Sequence, residues 1–161
     1  MSWLGSADWQ VPLSRWILLS GSLYRGSALG GLAGGLGTSV VFTNPNGVAP
    51  SGIGGAPPNA LVKGLNTEGG WSQLKIQPFQ KLEWNFAVGD DNPLASQLNG
   101  GSAQSYLEVP LSRNRAGFGN VIYRPRSDLL LSFEFRHIES YPIQENRVSA
   151  NQANLGMGIM F

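Results

Sequence analysis

Apolar and polar residues alternate with a period of two along most of this chain. The clearest case is the stretch 82–88, "LEWNFAV", in which every second residue is large and apolar. Successive side chains of a β-strand point to opposite faces, so each such stretch predicts a strand with one apolar and one polar face. The pattern predicts strands near 3–12, 16–25, 71–78, 81–89, 113–124, 128–138 and 148–161, with 37–43 as a candidate for an eighth.

The connections between these stretches alternate between short and long. Three short links, "VPLSRW", "QPFQKL" and "YRPRSDL", each contain Pro, which lacks an N–H and favours strand ends and turns. The long loops are 26–70, 90–112 and 139–147. Transmembrane barrels have short turns at one end and long loops at the other. The predicted fold class is therefore all-β, an antiparallel up-and-down transmembrane β-barrel or the C-terminal segment of one, with 1–161 as a single barrel segment.

The composition is unusual for a soluble domain and too apolar for a disordered chain. Charged residues make up only 13% of the chain, 22 residues are Gly, and 42% are apolar. The net charge is +1, which gives no support for nucleic-acid binding. Cys is absent from the sequence, so disulfides and thiolate metal sites are excluded.

The end of the chain carries the most specific pattern. In "NLGMGIMF" an apolar residue recurs at every second position up to the terminal aromatic. This resembles the closing strand of the bacterial outer-membrane barrel family, which the barrel-assembly machinery reads as a signal. The stretch from "GGWSQLKIQPFQKLEWNFAVGDDNP" to the end is also similar to the C-terminal part of porin-like proteins from acidobacterial genomes. The assembly-signal residues implied by the resemblance are Leu155, Met157, Ile159 and Phe161.

The two strand faces then receive different roles. If the apolar faces meet outer-membrane lipid, the lipid-facing residues are Leu82, Trp84, Phe86, Val88, Leu129, Leu131, Phe133, Phe135, Leu155, Met157, Ile159 and Phe161. The opposite faces would line a pore: Gln73, Lys75, Gln77, Glu83, Asn85, Ser132, Glu134, Arg136, Gln152 and Asn154. Both charge signs occur in this set, as expected for a water-filled channel. The resemblance implies passive diffusion of small polar solutes through a channel in the bacterial outer membrane, and it is compatible with a homo-oligomer.

Seven strands and no signal peptide are hard to reconcile with a complete barrel, because bacterial barrels have an even strand number. We therefore expect a truncated C-terminal segment of a larger barrel. The alternatives are a complete eight-stranded barrel with a binding or structural role, the barrel end of a TonB-dependent receptor, and a secreted soluble β-sandwich or barrel.

Other chemistry is sparse, and we expect neither an enzyme nor a cofactor or metal site. His137 is the single histidine, and no nucleophile stands at a supporting spacing, so a position at the barrel rim is expected. Asp90-Asp91 lacks further calcium ligands and is interpreted as a turn. "GGLAGGLG" matches a dinucleotide fingerprint only loosely and has no βαβ context.

Overall fold

A computed structural model of the chain describes residues 1–32, 40–43, 61–94, 105–106, 111–142 and 146–159. Its strands are β1 (Trp3–Ser14), β2 (Ile17–Ser27), β3 (Val40–Thr43), β4 (Leu61–Gly64), β5 (Asn66–Phe79), β6 (Leu82–Pro93), β7 (Ser105–Tyr106), β8 (Leu111–Arg126), β9 (Leu129–Pro142) and β10 (Val148–Ile159). A 3-10 turn covers Gly30–Leu32. Within the described residues no helix is long and apolar enough to cross a membrane.

Seven of the strands form one antiparallel sheet in the order β1-β2-β5-β6-β8-β9-β10. Strands β3, β4 and β7 lie in a second sheet, so each strand of the large sheet is hydrogen-bonded to the next large strand along the chain. This is the up-and-down order that the alternation of short and long links predicts. Strands β1 and β10 occupy the two edges.

Prolines lie beside the three short turns and interrupt the strand pairing there. The register shifts between Pro12 and Ser14, between Ile76 and Phe79, and between Tyr123 and Arg126, the last two intervals containing Pro78 and Pro125. A residue without an N–H cannot donate to the ladder, so an irregularity at each proline leaves the adjoining pairs intact. The neighbouring turns are joined by backbone bonds from Gln77 N to Trp16 O (2.7 Å) and from Arg124 N to Lys81 O (2.8 Å).

The strands reach further towards the long connections than the sequence predicts. β5 begins at Asn66 rather than near 71, β6 continues to Pro93, and β9 continues to Pro142. These ends are rich in Gly, Asn and Asp, residues typical of loops. They are nevertheless strands because their backbones pair, as in the partners Glu68↔Asn92 and Gly70↔Asp90. The predicted long loops 26–70, 90–112 and 139–147 are correspondingly shorter.

The candidate eighth strand is placed differently from the expectation. Of 37–43, the described residues form β3, which pairs with β4 and β7 in the small sheet of order β4-β3-β7. It therefore adds no strand to the large sheet. The small sheet instead joins the connection between β2 and β5 to the connection between β6 and β8, a long-range pairing that local alternation cannot reveal.

Candidate functional site

Cross-strand pairing sorts the side chains of the large sheet into two faces, because directly paired residues of an antiparallel sheet point to the same side. On the polar face, one row crosses five strands in register: Lys75, Asn85, Asn120, Glu134 and Asn154. On the apolar face, the adjacent row is Ile17, Ile76, Trp84, Val121, Phe133 and Leu155. These two faces are called the polar face and the apolar face below.

Burial on the two faces is the reverse of that in a soluble sheet. Glu83 and Asn85 on the polar face are 7% and 4% exposed, whereas Phe86 and Val88 on the apolar face are 52% and 65% exposed. A soluble sheet turns its apolar face to the core and its polar face to water. Here the large apolar side chains of β6 and β9 stand outside, and Glu83 and Asn85 of β6 are covered by their neighbours.

A connected polar network lies on the polar face at β5, β6 and β8. The Glu83 carboxylate receives Lys75 Nζ at 3.1 Å and Arg124 Nη1 at 3.3 Å. Asn85 donates to Glu83 Oε1 (3.0 Å) and to Asn120 Oδ1 (2.9 Å), and accepts from Gln73 Nε2 (3.1 Å). A buried carboxylate is tolerated only when it is paired with a cation and hydrogen-bonded. Here Lys75 and Arg124 are the paired cations, and the Asn85 amide donates a hydrogen bond.

A second network continues the row on β9 and β10. Glu134 Oε1 accepts from Arg136 Nη2 at 3.0 Å and from Asn154 Nδ2 at 3.1 Å, and Gln152 donates to Asn154 at 3.0 Å. The guanidinium of Arg136 also lies 5.6 Å from the ring centre of Phe118, its register partner on β8. The polar face thus carries charges of both signs, held in fixed pairs along the wall.

Most residues predicted to line a pore are brought together by these networks. Ser132 shares the polar face through its pairing with Ile122 and Gly156, and Gln77 lies in the irregular end of β5. The predicted lipid-facing residues within the described part of β6, β9 and β10 lie on the apolar face. Phe161 lies outside the described residues.

Several network members were missed by the sequence reasoning. Asn120 and Arg124 belong to β8, whose two faces could not be told apart because both carry Gly and apolar residues. The register places Asn120 and Phe118 on the polar face, and Gly117, Gly119 and Val121 on the apolar face. Tyr24 was also missed, and its hydroxyl donates to Asp91, which accepts from Thr67 Oγ1 as well (3.3 Å).

The other candidate residues, Asp90, Asp91 and His137, lie towards the strand ends that adjoin the long connections. This region is called the charged rim below. Asp90 and Asp91 lie within β6 and not in a turn, and they point to opposite faces, so they do not converge on a cation. Among the described residues no group of three or more His, Asp or Glu could hold a metal ion. His137 lies on the apolar face just beyond Phe135, with Nδ1 2.7 Å from Asn151 Oδ1 and Nε2 3.6 Å from Glu139 Oε1.

The fold is similar to that of a solved membrane protein. The crystal structure of the outer membrane channel DcaP of Acinetobacter baumannii matches 97% of this chain with a TM-score of 0.60 at 12% sequence identity. The chain spans 39% of that protein's length. No protein-family model and no curated protein matches the sequence. The likeness concerns the fold alone: the large sheet has the antiparallel up-and-down order of a membrane β-barrel wall, and within the described residues its edges are open.

Proposed function

We propose that this chain forms part of the wall of a porin-like channel in a bacterial outer membrane. The observation that carries the proposal is the reversed burial of the two faces, with Glu83 and Asn85 covered and Phe86 and Val88 exposed. A closed barrel with this arrangement turns an apolar band to lipid and encloses a polar lumen. The likeness of the fold to an outer membrane channel supports the same function.

The exposed apolar face argues against the soluble sandwich or barrel. Large apolar side chains stand exposed on several neighbouring strands: Trp84, Phe86, Val88, Tyr123, Leu131, Phe133, Phe135, Leu155, Met157 and Ile159. Soluble monomers rarely expose a contiguous apolar surface larger than a few hundred Å². Contact with lipid hydrocarbon would remove the free-energy cost of exposing this apolar face to water.

The open edges of the large sheet favour a segment of a larger barrel over a complete eight-stranded barrel. Strands β1 and β10 lie at opposite edges and are not paired with each other in the described part of the chain. Backbone groups inside a bilayer must be hydrogen-bonded, so additional strands have to close the wall. We propose that the same polypeptide supplies them and that the present strands form its C-terminal part. The affiliation with acidobacterial porin-like proteins and assembly through β10 belong to this proposal and rest on the sequence resemblance.

The polar face suits passive diffusion of small polar solutes. Its cations and acids are paired with one another, as in Lys75 with Glu83 and Arg136 with Glu134. Fixed pairs of opposite charge shape the field across a pore without offering one solute a deep binding site, which favours passage over retention.

Single cysteines test the proposal directly, because the chain has none of its own. In the full-length protein reconstituted into planar bilayers, Ser132→Cys should react with a charged, water-soluble thiol reagent and its single-channel conductance should fall. The matched variant Phe133→Cys, one residue away on the apolar face, should resist the reagent. Reaction of Phe133→Cys at the rate of Ser132→Cys would refute a lipid-facing apolar surface, and protein without any conductance would refute the channel.

A further inference from the structure

The charged rim holds more positive than negative groups around Asp90 on the apolar face. Arg113 donates to both Asp90 oxygens through Nε (2.9 and 3.1 Å), and Arg115 Nε lies 3.5 Å from the same carboxylate. Two guanidinium groups therefore share one acid. Arg115 is the outer member of the cluster, with 47% of its side chain exposed against 34% for Asp90. The surface that this cluster presents to its surroundings is cationic.

A second cluster, on β9 and β10, holds one acid and one guanidinium. Glu139, whose side chain is only 19% exposed, accepts from Arg147 Nη1 at 2.8 Å and from the Tyr141 hydroxyl at 3.0 Å, with His137 Nε2 at 3.6 Å. In this cluster the acid is less exposed than the side chains of Arg147 and His137, which are 57% and 47% exposed. Arg115 and Glu139 are register partners, so the two clusters are contiguous along one row of the sheet.

An apolar groove of about 490 Å³ runs up to this row on the same face. Its walls include Trp9, Leu23 and Val88, and Gly70 and Gly117 leave space between them because they carry no side chain. Asp90, Arg115, His137 and Glu139 line its charged end. A second groove of about 620 Å³ shares Val88 and Gly117 with it and continues along Phe86 and Phe135 into the apolar band.

We propose that this groove binds a lipid with an anionic phosphorylated headgroup, in the leaflet on the side of the long connections. The acyl chain would occupy the groove, and the phosphate would bind Arg115 with help from Arg113, since guanidinium groups bind phosphate through paired donors. Charge complementarity favours this occupant: the groove is apolar where a bilayer is apolar, and the clusters at its end hold the guanidinium groups of Arg113, Arg115 and Arg147 against the two carboxylates of Asp90 and Glu139. The inference rests on the proposed placement of the apolar face in a membrane.

The test measures lipids retained by the full chain in native mass spectrometry, with dimyristoyl phosphatidylglycerol and dimyristoyl phosphatidylcholine as probes. Arg115→Gln and Arg113→Gln should each lower retention of phosphatidylglycerol about five-fold, the effect expected for one basic side chain at a charged bilayer surface. Arg126→Gln removes the same charge beside the turn between β8 and β9, where it pairs with Asp128, and should leave retention unchanged. Equal retention of the two lipids, or an equal loss in Arg126→Gln, would overturn the headgroup assignment.

Filling the groove tests the acyl-chain part separately. A Cβ added at Gly117 would meet Val88 Cγ1 at 3.7 Å, an ordinary contact, so Gly117→Leu should fold and lower retention of both lipids. Gly31→Leu, in the 3-10 turn after β2, is the control, because no described residue lies within 4 Å of a Cβ added there. Unchanged retention in Gly117→Leu would refute the groove. Conductance recorded on the same variants distinguishes the two proposals. A protein that conducts but shows no lipid preference would refute only the lipid site, and a protein that prefers phosphatidylglycerol but does not conduct would refute only the channel.

Discussion

Ser132 and Phe133 are neighbours in sequence, and their side chains stand on opposite faces of β9. Ser132 pairs with Ile122 and with Gly156 on the polar face, where its Oγ lies 2.6 Å from the position of a Cβ built on Gly156. Phe133 pairs with Val121 and Leu155 on the apolar face. One step along the chain therefore separates a channel wall from a lipid contact in the proposed barrel.

This relationship predicts unequal tolerance of charge. Phe133→Arg should destabilise the folded protein in bilayers by about 2–4 kcal/mol if it lies near the midplane, because a lipid-facing cation loses its hydration. Ser132→Arg should be tolerated, since its side chain enters a wet lumen beside a glycine. Unfolding by denaturant in lipid vesicles measures both. Equal losses for the two variants would mean that the apolar face does not meet lipid.

Removal of the Glu83 carboxylate should weaken the wall. Glu83→Ala leaves Lys75 and Arg124 without their shared acid and Asn85 without one of its two acceptors, so we expect a loss of about 1–3 kcal/mol in the free energy of unfolding. The control is Glu68→Ala, whose exposed pair with Arg25 at 4.0 Å should contribute about 0–1 kcal/mol. Denaturant unfolding in micelles followed by Trp fluorescence compares them. A Glu83→Ala protein as stable as the Glu68→Ala protein would show that the network is not structural.

Leu29 should hold the connection after β2 against the polar face. It is 4% exposed, and a Cβ added to Gly26, which points to that face, would lie 2.7 Å from Leu29 Cδ1. Ala28 turns the chain here, with φ at 59° and its N–H donating to Leu65 O (2.9 Å). We predict that this connection narrows the mouth of the proposed channel, so Leu29→Asp, which should release the anchor, should raise single-channel conductance.

Leu32→Asp provides the control for this change. Leu32 belongs to the same connection and is 71% exposed, so the same substitution there should leave conductance unaltered. If Leu29→Asp folded and conducted like the unchanged protein, the connection would have no part in narrowing the channel.

The last residues of the chain should govern assembly. Leu155, Met157 and Ile159 lie exposed on the apolar face of β10, and Phe161 has the same parity, although it and Met160 lie outside the described residues. Phe161→Asp should therefore reduce insertion of the full-length protein into the outer membrane much more than Met160→Asp. Heat-modifiable mobility of the membrane fraction in gels reports assembly. Similar yields for the two variants would remove the support for a closing-strand signal.

Alternation in the sequence was enough to determine the faces of β6, β9 and β10. Glu83 and Trp84 were assigned to opposite sides, and the structure places them so, because the period of two follows from the local backbone of any strand. The pairings of β1 with β2, β5 with β6 and β8 with β9 were also predictable, since a short turn brings consecutive strands side by side. Alternation did not predict where the strands begin or end next to the long connections. There polar residues occur on both faces, and strand and loop have the same composition.

Only the tertiary structure decided the faces of β8, the partners of the ion pairs and the small sheet. Gly117, Phe118 and Gly119 do not alternate between apolar and polar residues, so the face on which each lies is known only from the register with β6 and β9. Arg124 and Glu83 are far apart along the chain, and pairing of β6 with β8 brings them to 3.3 Å. Local pattern specifies which side a residue of a regular strand faces, whereas contacts between distant strands depend on register, which is set by the assembled sheet as a whole.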